Sequence, residues 1–131
     1  MRAKRSTTHL SLKLLAKEGW LAGVVERFIP YINIRKDLFG FIDVIAVKGN
    51  TTLAVQVCSM TGIQPRLQKI KAEPNSLLWL QSPTREIQIH GWGLQGKAGE
   101  RKRLTCRRIY VERQNGAWLE GKRPIDGKDY G

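Results

Sequence analysis

The amino-acid sequence predicts one α+β (or α/β) domain built on a mixed β-sheet with helices packed against it. Three observations carry this expectation. Between residues 35 and 59, two apolar, β-rich runs flank a Gly49-Asn50 turn, the signature of a hairpin. Helical periodicity stands before that hairpin, at residues 9–18, and after it, from Pro65 onwards. Two later runs, residues 86–92 and 104–113, alternate polar and apolar side chains as half-buried strands do.

Taken in order, Ser6, Thr7 and Thr8 can cap a helix from about His9 to Glu18, whose apolar stripe is Leu12, Leu15 and Ala16. Gly19 stops it. Residues 20–29 read as a strand ended by Pro30, and residues 38–47 and 53–59 form the central hairpin. Met60, Thr61 and Gly62 make a loop before Pro65 opens a helix bearing Arg66, Lys69 and Lys71. Pro74 interrupts that helix and a short helical turn follows at residues 77–80. The order is helix, three strands, helix, two strands. Residues 93–103, rich in glycine and charge, read as an exposed loop. The expected domain is 1–115, with 116–131 a loosely packed C-terminal tail.

At 131 residues the chain can bury a core, and 41% hydrophobic with 26% charged residues describes an ordinary globule. No apolar run approaches the roughly 20 residues of a membrane span, and the N-terminus carries no apolar signal segment. Cys58 and Cys106 have neither metal-type spacing nor partners for a disulfide framework, so a reduced, cytoplasmic protein is expected. Lys and Arg outnumber Asp and Glu 23 to 11, for a net charge of +12. Such a surface suits a phosphate polyanion, through Coulomb attraction and counterion release.

Asp43 is the residue that most needs a reason. A carboxylate among apolar strand neighbours costs several kcal/mol, in the roughly 2–7 kcal/mol range of an unpaired polar group or above, unless it is paired or binds a metal. Period-two alternation puts Phe41, Asp43, Ile45 and Val47 on one face of their strand, and Ala54, Gln56 and Cys58 on one face of the next. An edge-strand aspartate facing water is the plainer alternative, but the near-continuous apolar run favours a central strand covered on both faces. Gln56 reads equally as a buried amide or as a ligand. Asp37 reads as an ion-pair or turn residue, or as a group supporting a ligand. Cys58 reads as a small buried hydrophobe. A Cys58–His90 nucleophilic pair is conceivable, yet no third orienting group announces itself. Trp92 could stack on a base or pack on the core, and packing is favoured.

Helix, β-meander, helix and strand, with Asp43 on the second strand and Gln56 and Cys58 on the third, resembles the PD-(D/E)XK nuclease superfamily. Within it the chain is most similar to the Holliday junction resolvase-like and phage nuclease branch, over roughly residues 10–111. The resemblance implies a restriction-endonuclease-like αβββαβ core with a mixed central sheet flanked by helices. It implies a Mg²⁺- or Mn²⁺-dependent endonuclease acting on DNA phosphodiester bonds, with branched or junction DNA among its substrates. Asp43 falls on the metal-binding aspartate. Gln56 falls on the third-strand acid and Cys58 on the lysine that helps activate water; both are departures. A glutamine can still offer a carbonyl oxygen to a hard cation. Glu18, at the end of the first helix, matches the helix acid that some members use as a further ligand.

With the strand lysine missing, Lys69 on the following helix is the best stand-in, and Arg35 or Lys36 could serve from the opposite side. Arg66, Lys71, Arg101, Arg103, Arg107 and Arg108 would grip the backbone of the nucleic acid, DNA before RNA. A homodimer would suit two-strand cleavage, and a phage-encoded enzyme would work in the host cytoplasm. The alternative is a non-catalytic nucleic-acid-binding module on the same fold with a decayed active site. A third option is an RNA-binding α+β protein unrelated to nucleases.

Overall fold

The computed structural model describes residues 6–121. Helix α1 (Thr7–Lys17) begins where Ser6 accepts a hydrogen bond from the His9 N–H, and it carries Ser11 and Leu15 into the core. Strand β1 (Leu21–Val24) follows. Next comes a small separate ribbon of β2 (Arg27–Ile29) and β3 (Ile34–Lys36). The central hairpin is β4 (Val44–Lys48) and β5 (Thr51–Ser59), in register from Val44 opposite Val55 to Lys48 opposite Thr51. A 3₁₀ turn (Met60–Gly62) leads into α2 (Ile63–Ala72), and α3 (Pro74–Trp79) follows with Pro74 in its first turn. The chain then runs through β6 (Arg85–Gln95), β7 (Arg103–Gln114) and β8 (Ala117–Gly121).

The six-stranded sheet has the order β1-β4-β5-β6-β7-β8. Every neighbouring pair is antiparallel except β5 and β6, which run parallel and are joined by the α2–α3 crossover. The sheet is therefore mixed and flanked by helices. Leu15 of α1 packs on one face against Val44, Ala46, Leu53, Val55 and Val57. Ile63, Leu67 and Ile70 of α2 cover the other, against Ala54, Cys58, Ile87, Ile89 and Val111. Both faces of β5 are buried, which explains its unbroken run of apolar residues.

Four expectations change. The strand expected over 20–29 breaks at Val25 and Glu26, and its second half turns away to form the β2–β3 ribbon. The strand expected from residue 38 starts only at Val44. Residues 38–42 instead close a tight turn, with Phe39 at φ +55 and Gly40 at φ +83. A Cβ on Gly40 would lie 2.1 Å from the Glu73 carboxylate, so this backbone conformation and the α2–α3 corner together require glycine. The turn seats Phe41 edge-on against Trp79, with ring centroids 6.4 Å apart. Third, Met60–Gly62 is a helical turn rather than a loop. Finally, the expected tail begins with a strand: Asn115 and Gly116 make the turn at positive φ, and β8 pairs with β7. The remainder of that tail, 122–131, lies outside the described residues.

Candidate metal centre

The sheet places an acidic cluster where the β2–β3 ribbon leaves it. Asp43 precedes β4 yet continues its ladder, its N–H bonded to the Val55 carbonyl and its own carbonyl accepting from the Val25 and Glu26 N–H groups. This pairing draws Glu26 to Asp43, and the returning arm of the ribbon delivers Asp37. Carboxylate oxygens of Glu26, Asp37 and Asp43 all lie within 4.8 Å of one another. Thr8 of α1, Gln56 of β5, and Arg66 and Lys69 of α2 complete a cleft of about 340 Å³ around them.

Asp43 and Gln56 are both buried. Gln56 Nε2 donates to Asp43 Oδ2 at 2.5 Å, and the Val57 N–H donates to the same oxygen at 2.8 Å. Lys69 Nζ donates to Asp37 Oδ2 at 2.5 Å, and Arg35 Nη1 to Glu26 Oε1 at 3.2 Å. Burial, the hydrogen bond to Asp37 and the Asp37 and Glu26 charges push Asp43 up to about 7, against the opposing Val57 N–H. Asp37 moves the other way. Burial raises it, but hydrogen bonds from Asp43 and Lys69 together with the Lys69 charge outweigh that and lower it.

The donor set suits a hard divalent cation. Three carboxylates converge, and Gln56 turns its amide nitrogen toward two of them, Asp43 and Asp37, while its carbonyl is buried without a hydrogen-bond partner. A buried acceptor left unpaired costs about 1–3 kcal/mol, and turning the Gln56 amide over would bring that oxygen among the acids, where a hard cation could meet it. Glu26, Asp37, Asp43 and Gln56 could together hold such an ion.

Of the residues expected from sequence, the fold brings Asp43, Gln56, Lys69, Arg35 and Arg66 to one cleft. It does not bring Glu18. That carboxylate makes a two-point ion pair with Arg108, at 2.8 and 2.7 Å, beneath the end of α1 on the opposite face of the sheet. With side chains only 6% and 2% exposed, neither Glu18 as a ligand nor Arg108 as a phosphate contact fits. Lys71 pairs with Glu120 at 3.3 Å, and Arg107 is half-buried on β7. Lys36, Arg101 and Arg103 remain exposed. Sequence reasoning missed Glu26, and it gave Asp37 only a supporting role.

The register also separates Cys58 from His90. Val57 stands opposite His90 and Cys58 opposite Gly91, so the two side chains point to opposite faces. Burial pushes the Cys58 thiol up to about 11, far from a nucleophilic thiolate. His90 sits in a closed polar chain under α1. Gln88 Oε1 can only accept, so His90 Nε2 carries the proton; Nδ1 then accepts from the Ser11 hydroxyl, which in turn accepts from Trp92 Nε1. Burial and the Arg108 charge push His90 down to about 3, keeping the ring neutral. This chain locks α1 to the sheet, and Trp92 packs rather than stacking on a base.

No family model, curated protein or solved structure matches the chain. Among the described residues, no helix is long and apolar enough to cross a membrane.

Proposed function

We propose that this chain is a metal-dependent endonuclease that cuts DNA phosphodiester bonds on a PD-(D/E)XK-type core. The observation that carries the reading is the convergence of Glu26, Asp37 and Asp43 within 4.8 Å beside the buried Gln56 amide. The element order supports it. With the β2–β3 ribbon set aside, α1, β1, β4, β5, α2 and β6 run helix, antiparallel meander, helix, parallel strand.

The residues divide the work. Glu26, Asp37 and Asp43 would hold the cation, Mg²⁺ or Mn²⁺, with the Gln56 carbonyl joining them once its amide turns over. When bound, it lowers the pKa of its water and clamps the scissile phosphate. Asp43, raised to about 7, would have to release its proton to solvent to ligate the cation, since a carboxylate must be deprotonated to do so. Lys69 compensates for Cys58 at the strand position by bringing an ammonium group to the same cleft from α2. Arg66 lines the cleft and brings a guanidinium to it, the group whose fork pairs with phosphate oxygens. The net charge of +12 holds the polyanion with little sequence readout.

The test is cleavage of labelled duplex, single-stranded and four-way-junction DNA with Mg²⁺, Mn²⁺ or EDTA, beside Asp43→Asn. The expected result is cutting that needs metal and falls at least about 100-fold in Asp43→Asn while DNA binding survives. Cutting that persists unchanged in the variant or in EDTA overturns the assignment. Tight binding without cutting under every metal would favour the non-catalytic module instead.

A further inference from the structure

The β2–β3 ribbon stands out from the rest of the molecule because it is exposed along both faces. Tyr31 at its tip is 87% exposed, and Phe28, Ile32 and Ile34 are each about half exposed, at 50%, 50% and 51%. A two-stranded ribbon bearing so much uncovered apolar surface is marginal on its own in water. Its charges identify what covers it. Arg27 stands opposite Lys36 and Phe28 opposite Arg35, which lies 5.8 Å from the centre of the Phe28 ring, and the two acids, Glu26 and Asp37, face into the cleft at the base. Aromatic rings interleaved with arginine and lysine match a polyanion that also presents flat rings.

We propose that this ribbon is a wedge that inserts against unpaired or unstacked bases of the DNA held at the acidic cleft. The inference rests on the nuclease reading above. Both arms of the ribbon end in cluster residues, Glu26 on one side and Asp37 on the other, so its position relative to the cation site is fixed by the chain. Tyr31 is five residues from Glu26, a reach of at most about 17 Å at the rise of an extended strand. That equals the rise of about five base pairs. At the tip, Pro30, Tyr31, Ile32 and Asn33, one amide, Asn33, could read a base edge, while the ring of Tyr31 and the side chain of Ile32 offer apolar surface. An exposed ring and aliphatic side chain at the tip suit insertion at a base step, and the cost of unstacking disappears where the stack is already interrupted. The ribbon thus selects gaps, flaps and branch points and sets them a fixed distance from the cut.

The experiment measures binding in EDTA, where no cutting occurs, of wild type, Tyr31→Ala and Tyr31→Phe. The two DNAs are a blunt duplex and the same duplex with a five-nucleotide gap carrying 2-aminopurine. Wild type should bind the gapped DNA more tightly and quench the 2-aminopurine. Tyr31→Ala should lose about 5- to 150-fold on gapped DNA and little on blunt duplex, while Tyr31→Phe retains both affinity and quenching. Because Tyr31 is so exposed, the melting temperature should not move. Equal affinity of wild type and Tyr31→Ala for the gapped DNA, or equal losses on both DNAs, overturns the wedge and leaves the nuclease reading standing. Failure of wild type to bind either DNA overturns the nuclease reading, and the wedge with it. A ribbon that serves to pair two copies of the chain would show as a Tyr31-dependent dimer with gap binding unchanged, which also overturns it.

Discussion

Removing Arg108 should unfold much of the protein's stability without touching its site. The Glu18–Arg108 pair joins the end of α1 to the middle of β7 across 90 residues of sequence, with two short hydrogen bonds and almost no exposure. At an effective dielectric of about 20, opposite charges at this separation attract by roughly 4–6 kcal/mol, most of which offsets the cost of taking both from water. The pair's net worth is therefore small, but an orphaned partner is expensive. Arg108→Met leaves a buried Glu18 carboxylate unpaired and should cost about 3–5 kcal/mol. For a chain of this length that corresponds to a fall in Tm of roughly 10–20 °C. Glu18→Gln should lose less, because a neutral amide can still accept from the guanidinium. The double variant Glu18→Gln/Arg108→Met removes both charges and should recover to within about 1–2 kcal/mol of wild type. Urea unfolding followed by circular dichroism measures all four proteins, and a DNA-binding assay on the double variant should give wild-type affinity. A loss under 1 kcal/mol in Arg108→Met, or weakened DNA binding in the stable double variant, would refute the structural role and return Arg108 to the DNA-binding surface.

Two further outcomes follow from the cleft. Asp43 has a folded pKa raised to about 7, so between about pH 4 and pH 7 the native state keeps a proton that the unfolded chain has lost. His90, held near 3, works in the opposite sense up to about pH 6.5, so the readout is a difference: in EDTA the Tm of wild type minus that of Asp43→Asn should fall as pH rises through that window, and a difference that stays flat or rises contradicts the shared-proton account. The lowered Asp37 acts at the acid end instead, its contribution being lost as pH falls below the ordinary carboxylate range. Lys69→Met removes the cation paired with Asp37, so Mg²⁺ should bind more tightly while cleavage drops about 10²- to 10³-fold; calorimetry and single-turnover cleavage measured together would expose a purely structural lysine, which moves neither.

Much of this arrangement was readable in the sequence, for identifiable reasons. Asp43 stood out because a carboxylate in an apolar run needs a partner, and its 13-residue spacing from Gln56 suits a hairpin that sets the two side by side. The strand start at Val44 was not readable, because the Phe39-Gly40 turn is held by tertiary contact with Glu73 and Asn75. Glu26 lies in a stretch with no local signal, and only the break after β1 carries it to Asp43. The ribbon was lost because three-residue strands are too short to show a period, although Asn33 after Pro30 is turn chemistry. Two further signals stand in the sequence. Asn115-Gly116 is a hairpin turn that announces β8. Glu18 sits at the C-terminal end of a helix, where the dipole disfavours an acid, so a strong cationic partner was required.

The most direct test of the acidic cleft is a Mn²⁺ titration of the purified protein at pH 8, with free ion followed by electron paramagnetic resonance, for wild type, Asp43→Asn and Glu26→Gln. The account predicts saturable binding by wild type and at least a tenfold loss in each variant at unchanged fold, because both carboxylates belong to the same 4.8 Å cluster. Binding by wild type that both variants retain, or no binding at millimolar Mn²⁺, would contradict it.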